Sequence, residues 1–248
     1  YGDSEFILHI NSGPQGLIYN KTFFDDNNLE VPKTWDEFFA LGDTVKDIDG
    51  RALFTYQGIY PGYMEEMLWP AIANECGEEA LTKIANYEEG SFNNEGVLKA
   101  LTHIKEIADK GYLLEGTVGM NHTESQTEMM LGKATFITNG TWMEMKCRMR
   151  QEKMDLNLLM APIPTENADD VHYVFDSCEQ FSIPADAKNP ELAKSSFVSC
   201  TAMNLYLHLQ KLPVPFTQQR VPVKWQKTNF LQQSTTCTES MTKQMPLL

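Results

Sequence analysis

Apolar and polar positions along this 248-residue chain follow two rhythms, one of three to four residues and one of two. Phe38, Leu41 and Val45 form a stripe at helical spacing. Thr34 and Glu37, three residues apart, make a capping box in front of it, with Pro32 just upstream and Asp49-Gly50 as the stop. A longer amphipathic helix opens at Asn93, with Val97, Leu98, Leu101, Ile104, Ile107 and Ala108 expected on one face and Gly111 ending it. A second box, Asn121 to Glu124, starts the helix TESQTEMML. The segment YMEEMLWPAIANEC at 63–76 reads as a helix interrupted near Pro70, followed by a short helix at 78–86. Between these lie strand candidates. FILHI and LIYNK are expected as two strands separated by a turn at SGPQG, then come ALFTY at 52–56 and ATFIT at 134–138, which ends in an Asn139-Gly140 turn. LNLLMAPIP, VHYVF and FSIP supply further short strands, and NPELAK begins a helix. Helices alternating with short strands predict an α/β protein, and no internal repeat of ~20–50 residues points to a solenoid.

Composition narrows the function classes. A hydrophobic content of 42% can supply a core, and no apolar run approaches the ~18 residues that a membrane-spanning helix needs. The opening YGDSEFILHI lacks the basic-then-apolar layout of a signal peptide, which leaves export open. A net charge of −14 argues against a nucleic-acid partner. The charge is uneven. Residues 1–194 carry a net −18, whereas 195–248 carry +4, with no Gly, no Asp and seven Gln.

Signatures of catalysis and metal binding are thin. Cys76, Cys147 and Cys178 are widely spaced, and no CxxC or HExxH pattern accompanies the histidines, so neither a metal nor a cofactor is expected. No GxGxxG, P-loop or GxSxG motif is present. Glu65 and Glu66 could serve a glycosidase as a carboxylate pair, but helix neighbours point apart, and a solvated face is the reading preferred here. The N-x-T sequences at Asn20, Asn121 and Asn139 would be glycan acceptors only in a eukaryotic secretory pathway.

Five segments, in order, resemble the extracellular solute-binding proteins of ATP-driven sugar importers, the group that includes maltose-binding protein. GPQGLIYNKTFF at 13–24 resembles the strand crossing from first lobe to second, and VPKTWDEF at 31–38 the helix opening that follows. MLWPAIANECG at 67–77 resembles the aromatic-bearing helix of the second lobe, and LGKATFITNGTW at 131–142 a strand that ends in a small residue and a Trp. FSIPADAKNPELAK at 181–194 resembles the return to the first lobe. The stretch 121–142 is most like binders of N-acetylglucosamine or its short oligomers. The resemblance implies an incomplete two-lobed, periplasmic-binding-protein-like type II fold. Residues 1–12 would close the first lobe, 13–172 form the second, 173–194 return, and 195–248 lie outside it. It further implies a lipid-anchored extracellular or periplasmic monomer that binds a mono- or oligosaccharide without chemistry and presents it to the membrane permease of an ABC importer. A carbohydrate hydrolase and a fragment that binds nothing are the alternatives.

A sugar offers an apolar C–H face and a polar rim, so its receptor needs aromatic plates flanked by amides and carboxylates. Trp142, in the polar setting Asn139-Gly140-Thr141, fits a stacking plate, the alternative being a core Trp. Trp69 is divided between core and cleft, and Trp35 reads as scaffold. Asn11 and Gln15 flank the crossover, and Asn139 precedes the plate. Asp176 and Glu179 lie in FDSCEQF, where surface charge is the competing reading. His122 is either a ligand contact or part of a helix start, with Tyr56 and Tyr60 as weaker options.

Measured against the family, most of the first lobe and any lipoprotein signal are expected to lie before residue 1. From Ser195 the family's continuation is permitted if each codon is read from its third base. Met203-Asn204 then forces Glu and Trp225-Gln226 forces Ala. Residues 195–248 are therefore expected to be translated one base out of frame, which the coding DNA would decide.

Overall fold

The computed structural model describes residues 8–143 and 156–201, with side chains placed for 13–143, 156–177 and 182–197. Two units emerge: residues 13–176, and residues 1–12 with 177–248. The first holds the sheet that organises the chain. Its strands are β1 (Leu8–Asn20, which begins in the other unit), β2 (Ala52–Thr55), β3 (Ala134–Gly140) and β4 (Leu158–Ala161), in the order β2-β3-β1-β4. β5 (Phe175–Phe181) also pairs with β1. β3 runs parallel to β2 and antiparallel to β1, and β4 is antiparallel to β1.

The helices are α1 (Lys21–Asp26), α2 (Trp35–Lys46), α3 (Glu65–Ala85), α4 (Glu95–Asp109) and α5 (His122–Met130). One face of the sheet presents Leu17, Tyr19, Phe54 and Phe136 to Phe24, Trp35, Phe38, Met67, Ala71, Val97 and Ile107 from α1 to α4. Phe136 is the hub, with ring centroids 5.7 Å from Phe24 and 5.7 Å from Phe38. The other face presents Ile18, Ile137 and Leu158 to Met129, Met130 and Met143. The period-2 alternation along β3 thus feeds two cores. No helix among the described residues is long and apolar enough to cross a membrane. In the other unit α6 (Pro190–Thr201) starts with a proline, at the position where its missing N–H and preset φ suit a helix.

Both capping boxes form. Thr34 Oγ1 accepts from the Glu37 N–H at 3.2 Å while Glu37 reaches back to the Thr34 N–H, and Asn121 and Glu124 do the same. Five expectations change. SGPQG is no turn: β1 runs through it, and neither Gly13 nor Gly16 takes a positive φ. Gly16 is glycine because a Cβ there would lie 2.7 Å from the Ala161 carbonyl of β4. Asn139-Gly140 likewise stays in strand register, opposite Gly16 and Gln15. α3 continues through Pro70 and breaks instead at Gly77, whose φ of 76° only glycine adopts cheaply. Pro70 lies inside α3, in its second turn, and its missing N–H leaves the Glu66 carbonyl without an intrahelical donor. On α4, Leu98 is 67% exposed and Leu101 also faces outward, while Val97, Ala100 and Ile107 pack inward. VHYVF forms no strand before Phe175. The segment 202–248, which carries most of the out-of-frame expectation, lies outside the described residues.

Candidate functional site

The ends of three strands converge. Because β2 and β3 are parallel, their carboxyl ends share one edge, and antiparallel β1 passes that edge at Gln15. Edges of this kind are where open α/β sheets place ligands. Gln15 pairs with Gly140 and Gly16 with Asn139 across the ladder, so Gln15 lies on the Gly140 face of the sheet and Asn139 on the opposite one. The Trp142 ring lies across Gly140, where a Cβ would meet it at 2.0 Å. Glycine therefore lets the indole fold onto the strand end, and Trp142 is half-buried, neither core nor free. Asn139 is 1% exposed. Its Oδ1 accepts from the Gly140 N–H at 2.9 Å, which aims the amide, and its Nδ2 finds no partner among the described residues.

The first turn of α3 adds a group that sequence reasoning had put in solvent. Glu66 is 3% exposed and its Oε2 has no hydrogen-bond partner among the described residues. Burial pushes its carboxyl up to about 8, against a weaker opposing pull from the Thr138 hydroxyl. Glu65, the next residue, instead accepts from Trp69 Nε1 at 3.4 Å. Trp69 itself is half-buried against the core beneath α3. Thr138 and Gln57 are fully buried; the Thr138 hydroxyl faces the Glu66 carboxyl without full hydrogen-bond geometry, and both Gln57 amide atoms lack partners among the described residues. Orphaned buried polar atoms cost about 1–3 kcal/mol each, so a native fold keeps them for a reason. Nothing local in the sequence marked Gln57 or Thr138; the buried MLWPAIA stretch following Glu66 was the one available hint.

A third element is aromatic. His122, at the first position of α5, stacks on Tyr60 with centroids 4.8 Å apart and meets Tyr63 edge-on at 4.5 Å. Tyr60 is exposed, so the trio presents a ring to solvent. It is held there by backbone contact: the Gly58 N–H donates to the Thr117 carbonyl at 3.2 Å and the Ile59 N–H to Met120 at 3.2 Å. A Cβ at Gly58 would lie 2.2 Å from the Thr117 carbonyl. Beneath this, Thr55 and Thr117 hydroxyls bond at 2.8 Å. Tyr56 is turned away, stacked on Phe54.

Other expected residues stand apart or unplaced. Asp176 is half-buried in β5. Asn11 and Glu179 lie in β1 and β5, but their side chains fall outside the described residues. Glu75, His103 and Glu166 bring ligand atoms within 4.8 Å of one another, a set that could hold a metal ion. Lys99 sits between the two carboxylates, 3.2 Å from Glu75 and 2.8 Å from Glu166, and His103 bonds Glu166 at 2.8 Å while stacking on Trp35. The chain's own ammonium already balances that cluster, and Trp35 is core.

Comparison with known proteins accords with this geometry. The chain is 25% identical over 181 residues to the diacetylchitobiose binding protein of Streptomyces coelicolor, covering 71% of this chain and 38% of that protein. In structure it resembles a Bacillus licheniformis sugar transporter solved with stachyose, with a TM-score of 0.66 at 17% identity, over 80% of this chain and 52% of that one. A chitin oligosaccharide binding protein matches with a TM-score of 0.64 at 18% identity, over 80% and 50%. These two likenesses concern the fold, and the chain spans about half the length of the solved neighbours or less of the curated relative. The sequence pattern of the bacterial extracellular solute-binding proteins extends over residues 6–203, and the chain belongs to that family.

Proposed function

We propose that the chain belongs to the sugar-capturing component of an ABC importer and that its strand-end edge is the second-lobe half of the ligand site. The observation that carries this is the Trp142 ring laid across Gly140, whose partner on the same face of the ladder is the buried Gln15. An indole face matches the apolar C–H face of a pyranose, and the Gln15 amide matches its hydroxyl rim. Tyr60 and His122 offer a second plate. Relatives that bind diacetylchitobiose and chitin oligosaccharides support an amino-sugar oligomer as ligand. The protein acts outside the cell, anchored by lipid, and hands its ligand to the permease without chemical change. Asn11, Asp176, Glu179 and Trp69 stay candidate ligand contacts in this reading.

Calorimetry on the 248-residue chain with N,N′-diacetylchitobiose, paired with a product assay, tests it. Heat of binding without product is the expected result, and Trp142→Ala should abolish the heat while moving Tm little. Product formation that Glu66→Gln removes would make the chain a hydrolase instead. A large fall in Tm with binding preserved would put Trp142 in the core.

A further inference from the structure

We propose that Glu66 is held as an uncharged acid behind the strand ends and makes both fold stability and ligand capture depend on its proton. Among the described residues the groups facing it offer no counter-charge. From the 3-10 turn Pro61–Met64 comes Tyr63, a phenol that is itself pushed up by burial and then by Glu66. From β3 comes the Thr138 hydroxyl, and on α3 itself the neighbouring Glu65 is engaged with Trp69. With no cation at hand among the described residues and 3% of its surface exposed, an ionised Glu66 would be a bare buried charge. Keeping the proton is the cheaper state, and the acid then has an O–H to donate. Its neighbour on β3, Thr138, is also a fully buried polar side chain. Thr138 lies on the same strand face as Gly140, which carries the Trp142 ring, so ionising Glu66 would disturb that strand end.

The direction with pH follows. The folded chain keeps this proton up to about 8, whereas an unfolded one releases it near the ordinary 4.5. The contribution of Glu66 to stability is therefore complete below about 4.5, declines as pH rises toward 8, and is level beyond. This half stands on burial and the lack of a partner charge. The ligand half rests on the strand ends being a sugar site.

Thermal melts of the 248-residue chain and its Glu66→Gln variant between pH 5 and 9 decide the first half. The Tm of the native sequence should fall relative to Glu66→Gln by ~5 °C or more as pH rises to 8, with the variant melting higher at pH 8. Parallel profiles, or a variant less stable at every pH, would overturn it. If the variant does not fold, infrared titration of the native chain serves: a protonated carboxyl C=O band should persist at pH 6.5 and vanish with a midpoint near 8, and its absence at pH 6.5 overturns the proposal. For the second half, N,N′-diacetylchitobiose should bind the native chain about tenfold more weakly at pH 9 than at 6.5, and Glu66→Gln equally at both. Equal binding by the native chain at both pH values overturns the ligand half alone. Binding at neither overturns it together with the sugar reading, and the melts still decide the stability half.

Discussion

Adding one methyl group at Gly140 is the smallest change that reaches the strand-end site. The new Cβ would stand 2.0 Å from the Trp142 ring, so the indole must leave its place over the strand. Gly140→Ala is expected to cost ~1–3 kcal/mol and to shift the Trp142 emission, read as the difference from a Trp142→Phe background. Gly58 is subject to the same logic against the Thr117 carbonyl. Neither glycine has a positive φ; each is small because another part of the chain passes too close. That is why sequence inspection took Asn139-Gly140 for turn chemistry and never singled out Gly58. Glu66 was misread for a related reason: a helix wheel shows that Glu65 and Glu66 diverge, but not which of the two the sheet will cover. Trp142, Asn139 and Gln15 were singled out because two motifs, GPQG and TNGTW, carry amides and an indole beside glycines.

Helices whose signals lie within four residues came out as read. Thr34 and Glu37 exchange two bonds before α2, so Thr34→Ala should cost ~1 kcal/mol, a Tm drop of ~2–4 °C in thermal denaturation. The Asn121 box does more, because it sets the direction in which His122 leaves α5 toward Tyr60 and Tyr63. Elements shaped by distant partners were read less well. β1 is one strand because β3 and β4 pair with its residues from Gln15 to Asn20, carrying the extended chain past Pro14. Pro70 looked like a break, yet it falls early in α3, and the real break needed the positive φ of Gly77. The apolar face of α4 was drawn too wide by including Leu98 and Leu101, which border an open hollow of about 440 Å³ with Phe92 and Val97.

At the scale of the molecule, stability concentrates in the unit 13–176, where β1 and β3 separate two apolar cores. In native-state hydrogen exchange the amides of Ile18 and Ile137 should open only with global unfolding, and those of the exposed stretch 166–171 should exchange first. Protection confined to the helices, with β3 exchanging early, would contradict this arrangement. By itself the sequence determined the α/β class, the capped helices, the acidic surface of the body and the family likeness, because these rest on local chemistry and on composition. Only the tertiary structure decided which strand ends meet, that Glu66 is shut away beside Thr138 while Glu65 is not, and that Gly140 yields its space to Trp142. Those outcomes depend on the register between strands more than a hundred residues apart, and no short-range pattern encodes which backbone will lie 2–3 Å from a missing side chain.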